Sequence, residues 1–298
     1  MAELLGPLKP RLDRIVRGLG VTNDFVYRDW ALTYILAGLG ALPELDWLVF
    51  KGGTALRKCL VPNWRYSLDL DFSTATPAPV DCETLATLVR TAMLSTSSLA
   101  RELVGDLHVD VEHKLHRDQH PHGQCQLTLR ITIPGGSKTL AKMEVTLDEP
   151  IYLPVSTHPI SHLYPPEPGQ IGSIRVYDVN EVAAEKLRAY LQSDDKLAQR
   201  GWVAGRSRDT WDLALLHRGN IIDAGAIATI LRRKCAVRNM AFQSIRDFQS
   251  LAVRKLHAAD WNKSLLPTVP EPMDITFDYA IGQVDDLLAA VFASIAPE

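Results

Sequence analysis

The segment Phe50-Lys51-Gly52-Gly53-Thr54-Ala55-Leu56-Arg57-Lys58 is followed after a short interval by Ser67-Leu68-Asp69-Leu70-Asp71-Phe72. In an extended strand residues i and i+2 share a face, so Asp69 and Asp71 project together while Leu68, Leu70 and Phe72 turn toward a core. Two carboxylates side by side repel unless a cation lies between them. That is the requirement of a magnesium site working on a triphosphate. Glycines at a helix start let backbone N–H groups approach phosphate oxygens. The spacing matches neither GxxxxGK[ST] nor GxGxxG, so the aspartate pair, not the glycines, defines the chemistry. Arg57, Lys58 and Arg65 lie between the two halves, and Arg57 and Lys58 are expected to meet the nucleotide phosphates.

The elements that must hold these residues follow from hydrophobic period and turn signals. An apolar run at 46–50 predicts a strand, 54–60 a short helix and 66–73 the aspartate strand. Upstream, 7–41 reads as two helices, the second capped at Asn23-Asp24. Downstream, Asp81 caps a long helix to Val104. Alternation predicts strands over 108–116, 124–134 and 139–147, the last two joined by Pro134-Gly135-Gly136 as a hairpin. Residues 150–172 read as an irregular crossover, and Arg175-Val176-Tyr177 as a short strand. Asp178 with Glu181 fits an acidic capping pattern for a helix over 179–192. A polar, basic loop is expected from Ser193 to Ser207, then a helix opening at Arg208, and helices over 223–237, 239–256 and 274–295. This order predicts an α+β fold, a mixed sheet flanked by helices, in two domains: 1–175 as the core and 176–298 as a helical domain.

Glu144 alternates within the second hairpin strand, with Asp148 behind it, and a cross-strand pair with Lys142 or Lys138 is one reading for it. The histidines His108, His113, His116, His120 and His122 fit no zinc spacing. Cys59, Cys82, Cys125 and Cys235 lack CxxC spacing and read as reduced, mostly buried thiols. The 298 residues are 46% hydrophobic and 22% charged, an ordinary globular composition. A net charge of −3 excludes a global nucleic-acid signature, so a polynucleotide partner would need a local basic patch. Lys196, Arg200, Arg206 and Arg208 could form such a group, and a solvated loop is the other reading for them. No apolar run reaches the length of a membrane span and no signal-peptide pattern opens the chain, so a cytoplasmic location is expected.

Gly52-Gly53-Thr54-Ala55-Leu56-Arg57-Lys58 with Ser67-Leu68-Asp69-Leu70-Asp71-Phe72 resembles the first two motifs of the AbiEii family. These are MenT-like nucleotidyltransferase toxins of type IV toxin–antitoxin systems, within the DNA polymerase β-like nucleotidyltransferase superfamily. Two later family motifs resemble Asn180-Glu181-Val182-Ala183-Ala184-Glu185-Lys186-Leu187 and Arg208-Asp209-Thr210-Trp211-Asp212-Leu213. All four occur in order, and the last 80 or so residues carry none. The resemblance implies that Gly52, Gly53 and Thr54 hold the triphosphate, that Ser67 touches phosphate, and that Asp69 and Asp71 bind the catalytic Mg2+ ions. It gives Lys186 a contact to nucleotide phosphates and makes Asp209 a further essential acid. Polymerase β-like enzymes usually carry a third carboxylate on a neighbouring strand, and the resemblance makes Glu144 the best candidate for that third metal ligand. The helical period sets Lys186 beside the stripe Ala183, Leu187, Tyr190 and Leu191, where a cleft-facing or a solvated lysine are both open. Asp209 and Asp212 share a helix face, and a stabilising first-turn charge is the other reading for them. Glu181 is read as a capping residue.

The implied activity is transfer of NMP from an NTP to an acceptor hydroxyl. Within the MenT branch the acceptor is the 3′ end of tRNA, and the outcome is inhibited translation. An adjacent antitoxin partner and a monomeric chain are expected. Two alternatives stay open at this point: a protein or small-molecule acceptor, and a non-catalytic NTP-binding interaction protein on the same scaffold.

Overall fold

A computed structural model describes residues 7–19, 21–75, 79–114, 123–147, 149–164, 167, 169–270 and 275–295. The chain divides into two compact units, Met1–Tyr177 and Asp178–Glu298. The first opens with α1 (Leu8–Leu19) and α2 (Asn23–Gly40), whose N-cap is Thr22, one residue before the expected Asn23. Strand β1 (Leu48–Lys51) runs directly into a helical segment, α3 (Gly52–Ala55), which widens into a π-helical turn over Leu56–Leu60. Strand β2 (Asp69–Thr74), helix α4 (Cys82–Leu103) and strands β3 (His108–Lys114), β4 (Gln124–Thr132) and β5 (Lys138–Thr146) follow.

The crossover expected to be irregular contains two antiparallel strands, β6 (Ser156–Ser161) and β7 (Gln170–Val176). Pro159 lies in β6 where the register slips, and β6 is the edge strand, where a missing N–H costs no ladder bond. Among the described residues seven strands form one sheet in the order β3-β4-β5-β2-β1-β7-β6. The aspartate strand β2 is in its middle, antiparallel to β1 and parallel to β5.

The pleat divides the sheet. Leu70, Phe72, Leu127, Leu129, Met143 and Val145 are buried in one apolar cluster with Trp30 and Ile35 of α2 and Leu85 and Val89 of α4. The opposite face is polar. Across it, registers align Glu112, Thr128, Lys142 and Asp69 in one row, and Gln126, Glu144, Asp71 and Lys51 in the next. The thiol expectation is corrected here: Cys82, at the start of α4, and Cys125, on the apolar side of β4, form a disulfide, whereas Cys59 and Cys235 are free and buried.

The second unit comprises α5 (Val179–Arg200), α6 (Ser207–Arg218), α7 (Ala224–Ala236), α8 (Leu251–Asp260) and α9 (Phe277–Ser294). Helix α5 runs two turns past its expected end. Ser193 is buried with its hydroxyl donating to the Ala189 carbonyl at 2.8 Å, and Gly201, at φ 73°, ends the helix in the left-handed region. The expected helix over 239–256 begins only at Leu251. Before it, Asn239 turns at φ 53° and Ser244 with Asp247 forms a capping box for the short turn Ile245–Phe248. No helix among the described residues is long and apolar enough to cross a membrane.

Candidate active site

The turn from β1 into α3 places backbone where side chains would collide. Gly52 has φ +79°, and a Cβ there would sit 2.6 Å from Asp71 Oδ2. A Cβ on Gly53 would meet Ser67 Oγ at 2.8 Å and Arg65 Nη2 at 2.9 Å. The two glycines are therefore the floor of a recess walled by Asp71, Ser67 and Arg65. Thr54 fastens the recess to the aspartate strand: its buried hydroxyl donates to the Asp69 carbonyl at 2.6 Å. That hydroxyl is engaged within the fold rather than presented to a ligand.

Asp69 is exposed and Asp71 half-buried, two residues apart on the polar face of β2. Lys51 lies directly across from Asp71 in the β1–β2 register, its ammonium 3.6 Å from Glu149 and 5.3 Å from the Tyr177 ring centroid. Lys51, paired with the buried Glu149, and Arg65, itself buried with Nη1 donating to the Tyr66 carbonyl at 3.2 Å, are cations beside the recess. Arg57 and Lys58 lie away from it, and their expected phosphate contacts are corrected by the structure.

The π turn aims Arg57 and Lys58 inward, where both are buried around Asp29 of α2. Arg57 Nε donates to Asp29 Oδ1 at 2.9 Å, and Lys58 Nζ to Asp29 Oδ2 at 2.7 Å and Thr33 Oγ1 at 2.9 Å. Tyr164 Oη donates to the same carboxylate at 2.5 Å, and Arg57 stacks 3.9 Å over the Tyr66 ring. Burial would raise the Asp29 carboxyl, but the charges of Arg57 and Lys58 outweigh it and hold it at about 2. Burial lowers the Lys58 ammonium to about 8 against the pull of Asp29, a carboxylate it shares with Arg57. One anion between two cations gives both shifts. The network braces the helical side of the recess and leaves neither basic group for phosphate.

Glu144 stands beside Asp71 in the β2–β5 register. No lysine holds it. Gln124 Nε2 donates to its Oε2 at 2.9 Å and Gln126 Nε2 to its Oε1 at 3.0 Å. Asp148, expected behind it, lies outside the described residues, as do His116, His120 and His122. Among the described residues no group of three or more His, Cys, Asp or Glu side chains is gathered to hold a metal ion. The Asp69–Asp71 pair nonetheless fits magnesium, which characteristically takes one or two carboxylates and completes its shell with water and substrate phosphate oxygens.

The second unit carries its own charged constellation. Lys186 is buried in α5 rather than solvated, with Nζ 2.6 Å from Asp209 Oδ1 and 2.9 Å from Asp212 Oδ2. Arg206 Nη1 reaches Asp209 Oδ2 at 3.0 Å and its Nε donates to Ser193 Oγ at 3.0 Å. Asp209 is thereby shared by two cations. Beneath lies His257, buried edge-on against the Tyr190 ring at 4.9 Å; burial drives its pKa down to about 4 against the charge of Asp209. Glu181 is no surface cap: it is buried with its Oε1 2.7 Å from Lys234 Nζ. The basic group expected in a loop is partly helical, with Lys196 and Arg200 on α5. Burial lowers the Lys196 ammonium, as do its neighbours Arg206, Arg200 and Arg238. Trp202, 67% exposed, follows Arg200 directly after the Gly201 turn.

A seven-strand mixed sheet flanked by helices, with an acidic pair on its central strand above a glycine turn, is the fold of a nucleotidyltransferase toxin. Structural comparison aligns the chain with MenT4, a nucleotidyltransferase toxin from Mycobacterium tuberculosis H37Rv, at a TM-score of 0.61 and 21% identity, covering 94% of this chain and 89% of that one. Residues 34–283 match the family model of the nucleotidyl transferase AbiEii toxins of type IV toxin–antitoxin systems, and the chain belongs to that family. It is accordingly a nucleotidyltransferase. Comparison with curated proteins by sequence found no match.

Proposed function

We propose that this toxin transfers NMP from an NTP to the 3′ end of tRNA and so inhibits translation. The observation that carries the reading is the placement of Asp71 directly over Gly52, with Asp69 on the same face. Backbone N–H groups of Gly52 and Gly53 and the hydroxyl of Ser67 hold the triphosphate, while Lys51 and Arg65 offset its charge. Asp69 and Asp71 would hold Mg2+, which when bound stabilises charge on the phosphoryl oxygens. Lys186 and Asp209 serve the same reaction, the ammonium toward nucleotide phosphate and Asp209 by setting the position of that ammonium; their 2.6 Å contact supports the pairing.

For the acceptor, the support is local. The net charge is −3, yet Arg206, Arg200 and Arg238 lie close enough to Lys196 to act on its charge, and the exposed Trp202 follows Arg200 by two residues. Cations to follow phosphates and an aromatic ring to stack an unpaired base suit a single-stranded RNA end. The further readings are a cognate antitoxin as partner, a cytoplasmic site of action and a monomeric chain.

The test is incubation with each α-labelled NTP, magnesium and total tRNA. Label should enter tRNA with wild type and be lost with Asp69→Ala and with Lys186→Met. Transfer that survives Asp69→Ala, or label that enters protein while tRNA stays unlabelled, would overturn the proposal.

A further inference from the structure

Glu144 is a long acidic side chain on an open sheet face, the kind that ordinarily samples several rotamers. Here both of its oxygens are engaged, each by a different amide from the neighbouring strand. Gln126 lies directly opposite it in the β4–β5 register and Gln124 one pleat further along the same face. A carboxylate offers about four lone-pair positions. The two amides occupy one on each oxygen, fix the plane of the group and leave the remaining positions available. Both glutamines are half-buried, so the amides are partly screened from competing water. They draw the carboxylate toward β4, whereas the other acidic groups of the row and its neighbour, Asp71 and Asp69, belong to β2 on the opposite flank of β5.

We infer that Gln124 and Gln126 are positioning residues, a two-amide clamp that sets Glu144 as the third acidic group of nucleotidyl transfer. This rests on the transfer reading above. Without the clamp, Glu144 is free to swing over β5, and a third carboxylate crowding Asp71 alters the acidic pair that the reaction uses. With it, Glu144 stands at a fixed offset from Asp71 and its open lone pairs face the substrate side of the sheet. Neither glutamine touches the reacting atoms; both act through Glu144.

The experiment is steady-state transfer of an α-labelled NTP to total tRNA by the full chain, with thermal unfolding run in parallel. Outer partners of this kind contribute about 10–100-fold to activity. The Gln124→Leu/Gln126→Leu variant should lose kcat in that range, with nucleotide KM within about twofold and an unchanged melting temperature, a split that general loosening of the fold would not give. Glu144→Gln should lose at least as much. Adding both leucines to Glu144→Gln should cost nothing further, because the clamp then has nothing to hold. Wild-type kcat in the double-leucine variant, or a loss that adds in full to that of Glu144→Gln, overturns the clamp. If Glu144→Gln is fully active while Asp69→Ala is dead, the clamp is wrong and nucleotidyl transfer stands. No transfer by wild type overturns both.

Discussion

Substituting Gly52 by alanine tests the recess at its tightest point. The backbone there has φ +79°, where an L side chain costs about 1–2 kcal/mol. At roughly 2–4 °C per kcal/mol for a unit of this size, unfolding should shift down by about 2–8 °C. The larger effect is local. The new Cβ would stand 2.6 Å from Asp71 Oδ2, well inside contact distance, and 3.4 Å from Asp71 Cβ and Cγ. Asp71 must rotate away or the turn must open, and either displaces the acidic pair from the glycine floor. Misplacement of a catalytic group by about 1 Å costs roughly a hundredfold in rate. We therefore expect Gly52→Ala to lose about two orders of magnitude in kcat while remaining folded at 25 °C. Gly53→Ala is the control. Its φ lies outside the left-handed region, and its nearest neighbours, Ser67 Oγ and Arg65 Nη2, are side-chain ends that can move. It should be milder in both rate and stability. The assay is labelled-NTP transfer over time, with circular dichroism melting on the same preparations. A Gly52→Ala protein within twofold of wild-type kcat, or a Gly53→Ala protein worse than it, would refute the argument that Asp71 over Gly52 forms the working surface.

Two further predictions concern what holds the recess. Asp29→Ala strands Arg57 and Lys58 as buried unpaired cations and should cost about 3–5 kcal/mol in denaturant unfolding. Lys58→Met leaves Asp29 with Arg57 and Tyr164 and should cost far less; the reverse order would defeat the two-cations-on-one-anion account. The sign with pH follows. Asp29, depressed from the usual 3.8 to about 2, gives roughly 2–3 kcal/mol above pH 4 that is lost as pH falls through 2. Lys58, depressed to about 8, disfavours the folded state at neutral pH, and that penalty lifts as pH rises from 8 toward 10.5. The Cys82–Cys125 disulfide spans 43 residues, so reduction should remove up to about 4 kcal/mol of stability by loop-closure entropy. Melting with and without dithiothreitol, alongside Cys125→Ala, measures it, and superimposable curves would count against the bond.

The aspartate strand, the long capped helix and the hairpin were legible because each carries its own period and its own turn or cap residue. Asp69 and Asp71 could be chosen because alternation alone puts them on one face, and Gly52 because a glycine pair between strand and helix has few structural uses. Arg57 and Lys58 were misassigned for a physical reason. A π turn rotates side chains relative to an α-helix, and the buried acid that receives them, Asp29, lies on a different helix whose burial is nearly all-round. Lys51 and Arg65 could be found only once the β1–β2 register and the space over Gly53 were known. Strand β6 and the first part of β7, whose end was expected at Arg175-Val176, were hidden by Pro159, His158 and Gly172, residues that weaken a strand signal without forbidding an edge. The disulfide partners, Cys82 and Cys125, share no spacing rule; only the packing of α4 against the sheet brings them together.

The middle position of β2 has a consequence for timing. Its antiparallel partner β1 is made just before it, but its parallel partner β5, with Glu144, lies more than sixty residues later. A growing chain that has emerged only as far as the acidic pair has those two residues on an unpaired strand edge. At ordinary elongation speeds of about 5–20 residues per second, the neighbour that completes the row arrives roughly 4–15 s later. During that interval the growing polypeptide carries the proposed acidic pair without the sheet neighbour that completes its row. On the proposed reading the acidic row is completed only with β5 and the reaction waits further for Lys186 and Asp209, so chains stalled before Lys138 should show no transfer.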